Sequence, residues 1–230
     1  MHDFNRLLAA SAEAHGHLCP GQVVGVRMAL LGCRLIGLDD PRRRDQIKKL
    51  IVYVEMDRCT ADAVAFVTGV KLGRRSLKFM DYGIMAATFI NLDGPRAFRV
   101  ISTEEARDLA PLYAPGETNK IRQQIEAYRK MPECVLFRVQ KVHVPISPFD
   151  LPGPTRSKAT CARCGQVVRD GKEIIRDGEP LCKPCALGAY FQNPQATGWP
   201  EMHRSPDDET GASPERDPNA TGTIKRSTPC

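Results

Sequence analysis

The sequence has few aromatic residues and no long apolar run. Aromatic side chains make up 6% of the 230 residues, which is too few for the stacking surfaces that hold single-stranded nucleic acid. A membrane-spanning helix needs about 18 or more consecutive apolar residues, and no such stretch occurs. We therefore expect no membrane partner, and nucleic acid is not an expected ligand.

The sequence also lacks a strong excess of one charge. The formal net charge is +6. Residues 1–150 contain 22 Lys and Arg against 17 Asp and Glu, and the remainder contains 11 against 10. Neither part is strongly basic, so charge does not indicate nucleic-acid binding.

A signal peptide is not apparent, because the residues from Met1 to Arg6 lack its basic N-terminal region. We expect a cytoplasmic protein. Nine cysteines in a reducing compartment indicate metal ligation rather than a framework of disulfides.

Apolar periodicity predicts alternating helices and strands over the first two thirds of the chain. Helices are predicted at 3–14, 20–37, 60–68, 103–113 and 117–130, with Thr60 capping the third. Strands are predicted at 50–56, near 77–81, 84–92 and 97–102, and from Cys134 to Val144. Cys33 and Cys134 are interpreted as ordinary buried cysteines.

The chain is predicted to consist of a core domain, a linker, a zinc finger and a tail. The core spans 1–144. The linker spans 145–158 and contains Pro145, Pro148, Pro152 and Pro154, which restrict its backbone. The finger spans 159–198. Residues 199–230 are polar and poor in apolar groups, so we expect disorder there.

Two C-x2-C pairs predict a structural metal site near the C-terminal end of the chain. Cys161 and Cys164 form the first pair, and Cys182 and Cys185 form the second. Zinc takes four soft ligands in structural sites, and a two-residue gap lets both thiolates of a pair face one ion. The pairs flank a predicted hairpin with an Asp177-Gly178 turn. This order resembles a treble-clef zinc finger with a closed, non-catalytic Zn²⁺ site.

A second concentration of metal-binding side chains lies between the first two predicted helices. His15, His17 and Cys19 alternate along a short segment, so in an extended conformation they point the same way. Cys59 also precedes a predicted helix. Helix starts stabilise thiolates, and two thiols with two imidazoles suit a soft metal. Three ligands with one open position would be typical of a catalytic zinc site.

Three motifs together resemble the FmdE family, which takes its name from formylmethanofuran dehydrogenase. The first is His15-Gly-His-Leu-Cys-Pro-Gly-Gln. The second is Cys59-Thr-Ala-Asp-Ala-Val followed by Thr68-Gly69, and the third is Asp81-Tyr82-Gly83. The resemblance covers roughly residues 8–144, and some members of the family append a treble-clef finger.

The resemblance implies an α+β fold with a mixed β-sheet flanked by helices, thioredoxin-like in outline, and a homodimer formed through the core. It implies an active site at the His-Cys motif, where Zn²⁺ or another soft transition metal binds in some members. The residues that it assigns to the metal are His17, Cys19 and Cys59, with His15 nearby. The residues that it assigns to the pocket are Asp62, Lys78, Asp81 and Tyr82.

The sequence leaves three functions open. In the first, the chain is a metal-dependent enzyme or an accessory factor for a molybdenum or tungsten enzyme such as formylmethanofuran dehydrogenase, with Asp62 or His15 carrying a proton. In the second, Cys19 and Cys59 form a reversible disulfide in a thiol redox protein. In the third, the zinc finger belongs to a regulatory or metal-sensing protein. The motifs do not decide whether the chain is an enzyme.

Overall fold

A computed structural model describes residues 4–94 and 96–196. The chain separates into two compact units, Met1–Cys182 and Lys183–Cys230. The expected disorder of 199–230 falls outside the described residues, and the boundaries drawn from the sequence at 144 and 158 stay predictions. Among the described residues, no helix combines the length and hydropathy needed to cross a bilayer.

Three helices precede or follow the first strand and carry the candidate site. They are α1 (Phe4–His15), α2 (Pro20–Ile36) and α3 (Cys59–Thr68). Pro20 occupies the first turn of α2, where its missing N–H removes no hydrogen bond. Gly37 and Gly69 end α2 and α3 with left-handed φ angles of 75° and 73°, a conformation that glycine adopts without steric cost.

A five-stranded sheet forms the centre of the first unit. Its strands are β1 (Leu50–Val54), β2 (Leu77–Phe79), β3 (Ala86–Asn91), β4 (Ala97–Ser102) and β5 (Phe137–Lys141). The spatial order is β2-β1-β3-β4-β5, with β1 and β2 parallel and the other pairs antiparallel. The predicted mixed sheet flanked by helices in an α+β fold is confirmed.

One face of the sheet carries the main hydrophobic core. Leu50, Val52 and Val54 point from β1 to this face and pack with buried residues of α2 and α3. Short helices complete this part of the fold: α4 (Glu105–Asp108), α5 (Ala110–Tyr113), α6 (Lys120–Lys130) and α7 (Glu133–Leu136). The packing of α2 and α3 on the sheet therefore fixes the first residues of both helices relative to it.

The opposite face of the sheet is covered by the segment that follows β5. Ile51, Ile90 and Ala97 form a small buried cluster, and Ile146 and Leu151 pack against it. The predicted linker thus contacts the sheet. Its prolines limit the backbone, and its aliphatic side chains cover apolar area that the sheet would otherwise expose.

Two short hairpins make up the cysteine-rich part of the first unit. The strands β6 (Lys158–Thr160) and β7 (Val167–Arg169) pair antiparallel, and so do β8 (Ile174–Arg176) and β9 (Glu179–Leu181). Asp177 and Gly178 have φ angles of 53° and 82° in the β8–β9 turn, as a two-residue hairpin with two left-handed positions requires. The second unit contains α8 (Lys183–Leu187).

Two details of the sequence prediction are wrong. Arg58, not Thr60, is the residue before α3, and the Thr60 hydroxyl donates instead to the Gly21 carbonyl at 3.2 Å. Cys134 lies in α7 and is exposed, because a helical turn precedes β5. Cys33 is buried in α2 as expected.

Candidate functional site

Close contact between α2 and α3 builds the candidate site. A Cβ placed on Gly21 would lie 3.0 Å from the Cβ of Cys59, and one on Gly25 would lie 2.6 Å from the Cβ of Ala63. Gly21 and Gly25 are one helical turn apart and share a face. This glycine face lets the start of α3 lie directly against the start of α2.

A buried glutamine ties three helices together beneath the site. Gln22 is fully buried in α2 and donates to the Cys59 carbonyl at 2.9 Å. Its side-chain oxygen accepts from the Ser11 hydroxyl of α1 at 2.6 Å. Both polar ends of Gln22 are satisfied, so burial carries no unpaired-group penalty. The sequence analysis missed Ser11 and Gln22, whose signal was a polar residue on an apolar helical face.

The structure gathers His15, His17 and Cys19 into one cluster. Their potential ligand atoms all lie within 4.8 Å of one another. The two imidazole rings have centroids 4.8 Å apart and are tilted by 40°. His15 ends α1, and Cys19 precedes the first residue of α2 with an extended backbone. The predicted convergence of these three side chains is therefore present.

His15 is held in an orientation suited to metal binding. Its Nδ1 lies 3.0 Å from the Asp62 carboxylate, and its ring is 15% exposed. Its Nε2 is buried and has no hydrogen-bond partner among the described residues. A carboxylate on one imidazole nitrogen fixes the tautomer and leaves the other nitrogen free for a metal. The donor set of the cluster thus fits a soft transition-metal ion.

Cys59 is a direct neighbour of Cys19. Burial raises the pKa of the Cys19 thiol, and the nearby Cys59 side chain raises it further. The backbone N–H groups of Gln22 and Gly21 lower this pKa without reversing the change. The expected easy ionisation of Cys19 at the helix start is therefore wrong for the metal-free chain, since burial outweighs the helix N-terminus.

The remaining residues assigned by resemblance lie apart from this cluster. Asp81 and Tyr82 follow β2, and Cys59 follows β1 after four residues. Because β1 and β2 are parallel, these residues share one edge of the sheet. Lys78 pairs with Tyr53 in register and lies on the face covered by the linker, opposite to the face that carries α2 and α3. Lys78 donates to the Asp150 carbonyl at 2.8 Å.

A pocket of about 330 Å³ adjoins the start of α2. Pro20 and Gly21, the two residues after Cys19, form part of its wall. Polar side chains of Ser102, Gln124 and Arg107 line other parts of it. A small polar molecule in this pocket would therefore lie next to the segment that carries Cys19.

The four C-terminal cysteines form a second cluster. The sulfur atoms of Cys161, Cys164, Cys182 and Cys185 all lie within 4.8 Å of one another. The backbone N–H of Cys182 lowers the pKa of the Cys161 thiol to about 6, and a thiolate is the form that binds metals. Gly165, with a φ angle of 72°, turns the chain after the first pair. Four thiolates at these distances fit a metal ion.

Comparison with known proteins supports this assignment of the fold. Residues 14–141 match the family model described as FmdE, molybdenum formylmethanofuran dehydrogenase operon. An FmdE-like protein of tungsten formylmethanofuran dehydrogenase from Syntrophus aciditrophicus has a similar structure, with a TM-score of 0.53 and 17% identity. That similarity covers 83% of this chain and 95% of the other.

A curated relative from Archaeoglobus fulgidus is named a probable S-adenosyl-L-methionine-binding protein. It is 27% identical over 202 residues, which cover 81% of this chain and 54% of the relative. The chain thus spans about half the length of the curated relative that it matches.

Proposed function

The chain belongs to the FmdE family, and we propose that it is a cytoplasmic metal-binding protein with an open metal site at His15, His17 and Cys19. The observation that carries this proposal is the buried, unpaired Nε2 of His15. A buried imidazole nitrogen without a partner costs free energy, and a metal ion would remove that cost. The family match and the two ligand clusters support metal binding.

Zinc is the metal that we propose for both clusters. Thiolate and imidazole ligands prefer zinc over the harder ions magnesium and calcium. The four cysteines would form a closed structural site. The N-terminal cluster has three ligands and the adjacent Cys59 thiol, so one position stays available for a substrate or for Cys59 itself.

The chain's own residues suggest how such a site would work. A bound zinc ion would supply Lewis acidity to a ligand in the open position. Asp62 orients His15 through its Nδ1. Its carboxylate is 70% exposed, so it can exchange protons with water. Gln22 holds the Cys59 carbonyl and thereby fixes the start of α3 next to Cys19. We propose that this arrangement serves an accessory or maturation step for a molybdenum or tungsten enzyme.

Metal content measured on the full chain tests the site. We expect two metal equivalents per chain after anaerobic purification, and one equivalent in Cys19→Ser, because serine removes a soft ligand. Asp62→Asn should weaken the N-terminal metal affinity by about 10- to 100-fold, since it loses the charge that orients His15. Elemental analysis and competition with a calibrated chelator give both values.

Cys134→Ser is the matched control, because Cys134 is exposed and lies outside both clusters. It should keep two equivalents. A wild-type chain with a single equivalent that Cys19→Ser leaves unchanged would contradict the N-terminal site.

A thiol redox function is the second candidate, because Cys19 and Cys59 are neighbours. In it, the two thiols lose two electrons and two protons to an oxidant such as glutathione disulfide and form one disulfide bond. The metal measurement separates the candidates. A metal-free N-terminal cluster whose two thiols disappear together on mild oxidation would favour the redox function.

We also propose that the protein is a homodimer formed through residues 1–144, as family resemblance suggests. Sedimentation of the full chain should then give a mass of twice 25.5 kDa. Chemical cross-links between isotopically mixed copies should fall within 1–144. A monomeric mass, or cross-links confined to residues 159–196, would contradict this proposal.

A further inference from the structure

Two basic segments, far apart in sequence, meet in the first unit. Arg75 and Asp170 form an ion pair at 2.5 Å. Asp150 accepts from Lys78 through its carbonyl oxygen and from Lys172 through its carboxylate, both at 2.8 Å. These contacts hold residues 71–78 against residues 150–173.

The net positive charge of the chain is concentrated in these two segments. Together they contain nine Lys and Arg and three acidic residues, a difference of +6. The whole chain has 33 Lys and Arg and 27 Asp and Glu. The rest of the chain therefore has 24 of each sign and is neutral, a distribution that counting by halves of the sequence conceals.

Several of these cations are exposed beside the ion pairs. Asp150 and Asp170 neutralise part of the charge of Arg75, Lys78 and Lys172. The exposed cations of the two segments include Lys71, Arg74, Arg156, Lys158 and Arg169.

The β6–β7 hairpin places two of them directly opposite each other. Lys158 faces Arg169 in register, and Thr160 faces Val167. All four side chains are exposed, whereas Ala159 and Val168 on the other side are half-buried. Like charges directly opposite each other on paired strands destabilise a hairpin. A partner that places carboxylates over this face would remove that repulsion.

We propose that this basic surface, made of Lys71, Leu72, Arg74, Lys158, Val167 and Arg169, binds an acidic segment of a partner protein. Leu72 is 65% exposed and Val167 is 47% exposed among the cations. A nucleic-acid backbone offers phosphates and no aliphatic groups for these two side chains. An extended segment that alternates carboxylates with aliphatic residues complements both the charges and the apolar atoms.

Fluorescence anisotropy on the full, metal-loaded chain tests this proposal with defined probes. The main probe is a short labelled peptide that alternates Asp and Val. Two control peptides replace either every Asp by Asn or every Val by Ser, and a duplex DNA of about 20 base pairs provides the phosphate probe. We expect the Asp-Val peptide to bind at least about tenfold more tightly than each of the other three probes.

Charge reversal assigns the binding to this surface. Lys158→Glu combined with Arg169→Glu should weaken binding of the Asp-Val peptide by about tenfold or more. The matched control, Arg44→Glu with Lys48→Glu, makes the same change in net charge at exposed positions elsewhere, and should leave binding within about twofold.

Three results would overturn the proposal. The first is that duplex DNA binds as tightly as the Asp-Val peptide, which would indicate a nucleic-acid surface. The second is that both charge reversals weaken peptide binding equally, which would indicate a general effect of net charge. The third is that the Asp-Val peptide does not bind. Lys158→Glu alone verifies folding, since an opposite-charge pair with Arg169 should not destabilise the hairpin.

Discussion

Removal of the metal from the four-cysteine cluster is expected to unfold the β6–β7 and β8–β9 hairpins while the five-stranded sheet stays folded. Each of these hairpin strands is three residues long. Within the hairpin strands the one buried aliphatic side chain is Leu181. So small an apolar core cannot offset the entropy of ordering the segment. In comparable zinc modules metal binding supplies on the order of 10 kcal/mol of folding free energy.

Hydrogen exchange followed by mass spectrometry provides the measurement on the full chain. A strong chelator should abolish protection in peptides from 158–181 and leave the peptides of β1 and β3 protected. Cys161→Ser should reproduce this pattern without chelator, which separates the four-cysteine cluster from the N-terminal one. The matched variant Cys134→Ser should behave as wild type. Persistent protection of 158–181 in the metal-free chain would show that side-chain contacts alone fold the hairpins.

The contacts of this region with the sheet make the prediction more specific. Arg75 would lose its partner Asp170 if the hairpins unfolded, and Lys172 would separate from Asp150, while the packing of Ile146 and Leu151 on the sheet would persist. We therefore expect protection at 145–151 to fall less than protection at 158–181. The boundary between stable and metal-dependent structure should lie after the predicted linker begins.

Local sequence patterns predicted the elements well where one physical cause dominates. The continuous apolar run of β1 and the periodic apolar face of α2 require burial whatever surrounds them. Glycines after α2 and α3 mark their ends for a backbone reason that also needs no tertiary information. The two cysteine pairs carry their own spacing constraint, and their four sulfur atoms do meet.

Features that depend on three-dimensional contacts were not predictable in the same way. Lys78 was grouped with the His-Cys motif, yet the register of β2 on β1 turns its side chain to the opposite face of the sheet. That register is set by tertiary pairing, and a shift of one residue would reverse the face. Cys134 was placed in a strand because the helical turn before β5 is too short to produce a periodic signal.

The candidate site was predicted in its chemistry and missed in its support. The alternation of His15, His17 and Cys19 is visible in sequence. The approach of Cys59 depends on glycines in α2, whose importance follows from what they touch. Gln22 likewise looks like an ordinary polar residue until its two hydrogen bonds are seen. Contacts between elements that are distant in sequence leave no local pattern, and such contacts position this site.

Replacing Gly25 by alanine is expected to lower both stability and metal content at the N-terminal cluster. The new Cβ would lie 2.6 Å from the Ala63 Cβ and 2.7 Å from the Thr60 carbonyl oxygen. Backbone cannot rotate away as a flexible side chain can, so α2 and α3 must separate. Such overpacking typically costs about 1–3 kcal/mol. We expect the melting temperature to fall by roughly 4–10 °C, and the separation should weaken the contact between Cys19 and Cys59.

A double-mutant cycle distinguishes this steric cause from a general intolerance of α2. Ala63→Gly removes the nearer of the two clashes, so Gly25→Ala with Ala63→Gly should recover part of the loss caused by Gly25→Ala. Gly116→Ala is the matched control, because a Cβ there meets nothing within 4 Å, and its effect should stay within about 0.5 kcal/mol. Thermal unfolding and elemental analysis of all four variants complete the test. If Gly25→Ala melts like wild type, or if Ala63→Gly recovers nothing, close packing of α2 on α3 is not what positions Cys19 beside Cys59.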